Sequence, residues 1–357
     1  MEAGDIVKVS IPLVAGMAAG ALLCNAAGIA WRAAAAGISL AAGAALIAGC
    51  VFTRRRAGAA ICAAYLLLGL FCYCSRSLLP PLPRERILDA GWLSGLIDAL
   101  PFSSERTSPL VKALLTGDRS GLARDTIGSF RASGASHILA LSGLHLGVIY
   151  LVIARVFSIF GRSGAAVALR SLCCITLCGL YTSMTGAGPS IVRAFLFITI
   201  RETARLMPER RIGSLSVYAL ALTVQTVLNP LVITSVGFQL SYLAMLGIFT
   251  VFPVLESWYP ATRRSARFDP IRKIWVSAAL AISCQLFTGP LAWLRFGTFP
   301  KYFLLTNLIA LPLTEGLIVS ALGAVILSST GIGEVFVRAT DLLAGLMMDA
   351  LDVIAGM

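Results

Sequence analysis

Apolar runs of about 20 residues recur along nearly the whole chain, and each is long enough to cross a hydrocarbon core of about 30 Å. They fall near residues 7–28, 33–52, 57–75, 137–160, 164–184, 189–207, 212–228, 231–252, 274–294, 302–328 and 333–356. Lipid offers no partner to a free backbone N–H or C=O, so only helices and closed barrels can span it, and the alternation of a barrel strand is absent here. The expected fold is all-α, a polytopic transmembrane helical bundle of about 10–11 spans with a short amphipathic outer segment. Composition agrees: 13% of residues are charged, against about 25% in soluble domains.

The first run lacks a basic leader and two further runs follow at once, so it is expected to be an anchor and not a signal peptide. The last run differs from the rest. Glu334, Arg338 and Asp341 can pair along one helical face, with Asp349 and Asp352 nearby; a surface-lying helix is the alternative to a span there.

Net charge is +12, and its placement orients the bundle. Arg54, Arg55 and Arg56, then Arg201, Arg205, Arg210 and Arg211, then Arg263, Arg264, Arg267, Arg272 and Lys273 cluster between spans. The positive-inside rule makes those loops cytoplasmic, and the amino terminus with them. Three regions follow: an N-terminal three-span membrane anchor at 1–79, an extracytoplasmic amphipathic linker at 80–135, and a membrane domain at 136–357. The linker's short amphipathic pieces are expected to lie along the membrane surface. Asp118, Arg119, Arg124 and Arg131 are its candidate contact residues. A solvated mixed-charge face would look the same.

Polar residues inside apolar runs need a reason. The chain has two histidines, His137 and His145, both within SHILALSGLHLG. On a straight helix they stand about 12 Å apart along the axis, too far to share a metal. Ser142 and His145 can touch, which raises a membrane-embedded hydrolase with Ser142 as nucleophile and His145 as base. No nucleophile elbow surrounds Ser142 and no acid lies in the span. Arg193 follows Gly186, Gly188 and Pro189, a turn or break, and faces either a protein interior or the membrane interface. Gln239, Ser241 and Tyr242 form a polar stripe that either glues helices or lines a path. Tyr181, Phe238 and Tyr242 offer stacking faces, though such rings more often simply pack. The nine cysteines all fall in apolar runs without a CxxC pair, so neither metal nor redox chemistry is expected of them.

The run ALLTGDRSGLARDTIGSFRASGASHILALSGLHLGVI, residues 113–149, resembles the signature of the ComEC family of competence proteins. Three further blocks recur in the family's order: GAGPSIVRA at 186–194, SVGFQLSYLAMLGI at 235–248 and FGTFPKYFLLTNLIALPL at 296–313. The matching positions include Gly117, Asp118, His137, Ser142, Gly143, His145, Arg193, Gln239, Ser241 and Asn307. The resemblance implies an inner-membrane channel that passes single-stranded DNA to the cytoplasm during natural transformation. It implies as partners the lipid bilayer, an extracytoplasmic DNA-binding protein, a separate nuclease and a cytoplasmic helicase or ATPase, with a homo-oligomer also open. Many family members resemble a three-part protein with an OB fold and a metallo-β-lactamase domain. Neither is expected here, because the linker lacks alternating strands and two histidines cannot build that metal cluster. No phosphate-binding G-x-x-x-x-G-K-[ST] loop occurs, so energy is expected from a partner. No cofactor and no metal are implied. Channel-lining or DNA-binding candidates are His137, Ser142, His145, Arg193, Gln239, Ser241, Tyr242 and Asn307. The rival readings are the hydrolase and a non-conducting scaffold of a competence complex.

Overall fold

The computed structural model describes residues 3–26, 28–52, 58–80, 89–161, 163–207, 212–259, 269–297 and 301–357. Arg54, Arg55, Arg56, Arg84, Arg86, Arg210, Arg211, Arg263, Arg264 and Arg267 lie outside them. Among the described residues the secondary structure is helical, without strands. In chain order the helices are α1 (Ala3–Ala26), α2 (Ile29–Phe52), α3 (Gly58–Leu78), α4 (Gly91–Asp98), α5 (Thr107–Leu115), α6 (Arg124–Ala132), α7 (Ser136–Leu139) and α8 (Gly143–Phe157). They continue with α9 (Gly164–Met184), α10 (Pro189–Arg205), α11 (Ser214–Leu228), α12 (Val236–Thr250), α13 (Phe252–Ser257), α14 (Pro270–Phe296), α15 (Phe303–Ile326) and α16 (Gly331–Ala355).

Every apolar run is helical, and eight of the helical stretches are long and apolar enough to cross a membrane. They are Lys8–Asn25, Ile29–Leu46, Ala59–Leu78, Gly143–Phe160, Gly164–Met184, Val236–Ser257, Pro270–Phe296 and Phe303–Ile326. The protein is a multi-pass helical membrane protein. The runs at 189–207, 212–228 and 333–356 form α10, α11 and α16 but fall outside that set. α11 is apolar but short, whereas α10 carries Arg193, Arg201, Glu202 and Arg205, and α16 carries Glu334, Arg338, Asp341, Asp349 and Asp352.

Contacts divide the chain into two compact units, one of Met1–Arg84 with Thr199–Tyr242, the other of Glu85–Ile198 with Leu243–Met357. In the first, α1 packs on α3 through glycine. A Cβ at Gly16 would stand 1.9 Å from the Leu66 carbonyl oxygen, and one at Gly69 would stand 2.0 Å from that of Leu13. Small residues at a seam let backbones approach, which is how helices associate where lipid removes the hydrophobic drive. Leu13, Met17, Tyr73 and Cys74 are buried around this seam. α11 joins α1 through a Thr223 hydroxyl that donates to Ser10 Oγ at 2.7 Å.

The core of the second unit contains a surprise relative to the sequence. Of the linker pieces expected to lie along the membrane surface, α5 is folded inside, with Leu110, Val111, Ala113, Leu114 and Leu115 each at most 1% exposed, while α4 buries Leu93 and Ile97 and α6 buries Phe130. These residues turn inward, while Ser108, Pro109 and Lys112 are half-buried on the other face. α5 packs against α15 and α16, and α6 against α16. The ammonium of Lys112 reaches out to Asp98 at 2.6 Å while its stem stays in the core. α16 buries Val337, Ala344, Met347 and Leu351, and it exposes the Glu334–Arg338 pair.

Candidate functional site

The fourth apolar run does not form one helix. Ala140 takes an extended ψ of 124° and Ser142 a φ, ψ of −115°, 166°, so α7 stops and α8 starts afresh. His137 and His145 therefore sit on different helices, and the straight-helix separation no longer applies.

The break is braced by the loop between α5 and α6. Gly117 has φ 78°, and a Cβ there would meet Leu141 Cδ1 at 2.5 Å, so only glycine fits beneath the break. Arg119 Nε donates to the Leu139 carbonyl at 3.0 Å. Asp118 Oδ1 accepts the Ser120 N–H at 3.0 Å and fixes the turn. Asp118 and Arg119 are exposed, and both shape the break. Arg124 and Arg131 stand exposed at the first and last turns of α6.

Ser142 caps α8. Its Oγ accepts the Leu144 N–H at 3.2 Å, and its own N–H donates to His145 Nδ1, also at 3.2 Å. This is a reciprocal capping box with histidine in the place usually held by Glu or Gln. Ser142 and His145 do touch, but through backbone groups. Neither bond joins Oγ to the imidazole, so the arrangement is a helix cap and not a nucleophile–base pair.

A second break lies before α10. Gly186 has φ 78° and Ala187 φ 49°, a left-handed turn that delivers the chain into Pro189. Gly143, the first residue of α8, lies against this helix start. A Cβ on Gly143 would stand 3.0 Å from Arg193 Nη2, 3.1 Å from Ala194 Cβ and 3.5 Å from the Ser190 carbonyl oxygen. The start of α15 comes to the same end: Thr306 Oγ1 donates to the Ser133 carbonyl at 2.7 Å, and Asn307 lies beside the His137 ring. The N-termini of α8, α10 and α15 thus meet around His137, Ser142, His145, Arg193 and Asn307. Each N-terminus carries about half a positive charge.

His145 is fully buried, at 0% exposure. Its Nε2 has no hydrogen-bond partner, and neither has the buried Asn307 Oδ1. His137, by contrast, is exposed and donates through Nδ1 to the Gly134 carbonyl at 3.1 Å.

The other candidates belong to the first unit and are engaged there. Gln239 Nε2 donates to the Ile233 carbonyl at 2.8 Å. The buried Tyr242 donates to Gln225 Oε1 at 2.9 Å and lies edge-on to Tyr218 at 5.5 Å. Ser241 is half-buried between them in sequence. These bonds join α12 to α11 and to the turn before α12, the gluing role. Phe238 is buried too, at 4% exposure, and in the second unit Tyr181, at 8%, donates to the Leu115 carbonyl at 2.9 Å. Their faces are used in packing, not offered for stacking. Sequence reasoning missed Thr306 and the bracing role of Arg119, whose partners are distant in the chain. It also missed the buried thiols Cys24 and Cys74, brought to 3.5 Å by the α1–α3 seam.

Fold and site together define a polytopic helical membrane protein with a polar, N-terminus-rich end in its second unit. Residues 114–357 match the family described as "Competence protein". The chain belongs to that family. It is 32% identical over 133 residues to ComE operon protein 3 of Bacillus subtilis (strain 168), an alignment covering 37% of this chain and 17% of that protein. The match thus spans well under a quarter of the relative's length. No solved structure matches the chain.

Proposed function

We propose that this protein takes part in competence DNA uptake as an inner-membrane channel that passes single-stranded DNA to the cytoplasm. Family membership supports the process. The observation that carries the channel reading is the convergence of three helix N-termini with Arg193, His137, His145 and Asn307 at one end of the second unit. A polyanion entering a low-dielectric slab needs such an end, where partial positive charge and polar side chains replace water. On this reading the amino terminus is cytoplasmic, and the convergent end faces outward to receive the strand. An extracytoplasmic DNA-binding protein, a separate nuclease and a cytoplasmic helicase or ATPase act beside it. The chain itself is a conduit and not an enzyme.

The test is reconstitution in a planar bilayer with single-stranded DNA on one side and a membrane potential to draw it across. The expected result is strand-dependent current blockade with DNA recovered on the far side. Binding without recovered DNA would favour the scaffold reading instead.

A further inference from the structure

A cleft of about 120 Å³ opens in the second unit where the cap of α5, the start of α6 and the last turns of α16 meet. Three charged residues line it: Arg106 at the cap of α5, Asp125 on α6 and Asp352 on α16. All three are exposed, and among the described residues none of their side chains makes an ion pair or a hydrogen bond. A guanidinium and two carboxylates that share a cleft without joining leave both signs of charge on offer. The floor is apolar, with Phe130 and Leu351 each 1% exposed. α6 starts at the cleft from Ala123, where no side chain caps it, so its first turn adds partial positive charge.

The cleft lies at the edge of the membrane. The Tyr302 hydroxyl, at the cap of α15, donates to the Met357 carbonyl at 3.2 Å, which sets the end of α16 level with the start of a span. Asp352 stands about 7 Å further in along the helix. α15 has 24 residues and a length of about 36 Å, more than a hydrocarbon core of about 30 Å, so its ends reach into the headgroup layers. The cleft therefore falls near the boundary between headgroups and chains. Beside Asp352, helical spacing gathers the exposed Val335, Leu342, Leu346 and Val353 into one apolar stripe along α16.

An occupant suited to these groups carries a cation for the carboxylates, an anion for Arg106 and an apolar tail for the stripe. We propose that the cleft binds a phospholipid whose headgroup bears a primary amine. Its phosphate sits on Arg106 and the first turn of α6, its ammonium between Asp125 and Asp352, and its chains along the stripe of α16. A primary ammonium brings three N–H donors to the carboxylates, and a quaternary one brings none. A headgroup of net negative charge meets two carboxylates and one guanidinium, so it is disfavoured.

The test titrates the purified chain in detergent micelles with short-chain phosphatidylethanolamine, phosphatidylcholine and phosphatidylglycerol, with binding read by native mass spectrometry. Phosphatidylethanolamine should bind about tenfold more tightly than either of the others, the worth of one charge-assisted hydrogen bond. The double variant Asp125→Asn, Asp352→Asn should bring it down to the phosphatidylcholine level and leave phosphatidylcholine binding unchanged. Arg106→Gln should weaken both about tenfold. These side chains hold nothing else in the protein, so melting without added lipid should not move. Equal binding of the three lipids by the parent protein, or tighter binding of phosphatidylglycerol, would overturn the proposal even if no variant folds. A preference that survives the double variant would place the lipid elsewhere and overturn it too. Free phosphoethanolamine, lacking chains, should compete about a hundredfold less well; competition at equal concentration would make the ligand a soluble amino-phosphate and overturn the lipid assignment.

Discussion

Replacing Gly16 or Gly69 by alanine probes how the first unit is held together, because each glycine lies where the other helix's backbone already stands. The added methyl would meet a carbonyl oxygen at 1.9 Å in one case and 2.0 Å in the other. A relaxed C···O contact is about 3.3 Å or longer, so α1 and α3 must part by about 1.3–1.4 Å to accept either methyl. A gap of about 0.5–1 Å forfeits a quarter to a half of the attraction of each contact it opens. The seam holds Leu13, Met17, Tyr73 and Cys74, all buried, and no hydrophobic effect compensates within lipid. Each single substitution should therefore cost about 2–3 kcal/mol, the upper part of the overpacking range. One separation relieves both clashes. The double variant should accordingly cost little more than either single, a departure from additivity of about 2 kcal/mol. Reversible unfolding of the four proteins in mixed micelles, followed by circular dichroism, measures the cycle. Single costs below about 0.5 kcal/mol, or a double that equals the sum, would refute the close-packed seam.

Tyr181→Phe removes the donor to the Leu115 carbonyl, which closes the end of α5 inside the core; a loss of about 1–2 kcal/mol in the same unfolding assay is expected. Asp98, outside the spans, is held below the usual carboxylate range, first by the Lys112 ammonium and then by the Ser108 hydroxyl. A depressed folded value means the stabilisation is fully present above the unfolded pKa and fades as pH falls through the folded one. The parent protein should therefore melt higher than Asp98→Asn at neutral pH, with the gap closing below about pH 4; a gap that persists at low pH would remove the ion pair as its cause.

The helices were legible because lipid leaves the backbone one economical choice, so run length alone located them. Where each helix packs was less legible. SPLVKALL reads as an amphipathic surface piece by its lysine and its flanking Ser and Thr, and nothing local shows that α15 and α16 cover it. The break after Leu139 was hidden because ILALSGLHLG is almost uninterrupted apolar sequence. Its one local signal is the spacing of Ser142 and His145, the interval of a capping box, masked by a histidine where Glu or Gln is usual. The site was half legible. His137, Ser142, His145, Arg193 and Asn307 do converge, while Gln239 and Tyr242 could be told from lining residues only by seeing Ile233 and Gln225 take their bonds. The bond from Thr306 to Ser133 joins residues 173 apart and left no trace in the pattern.

The chemistry of the convergent end bears on how a strand could move at all. A conduit must bind well enough to admit its cargo and weakly enough to release it to the next position. A ring of lysines would satisfy the first demand and fail the second, since each fully charged contact in a low dielectric is strong. Here the attraction is divided instead. Helix N-termini contribute fractions of a charge that fade within a turn, and Arg193 adds a full charge beside Gly143. The breaks that create these N-termini would be costly in lipid unless other groups satisfied them. Arg119, Ser142 and the Gly117 turn do that from within the protein. The linker folded into the core therefore has a use on the proposed reading: it holds open, at modest charge, the ends that a passing phosphate would meet.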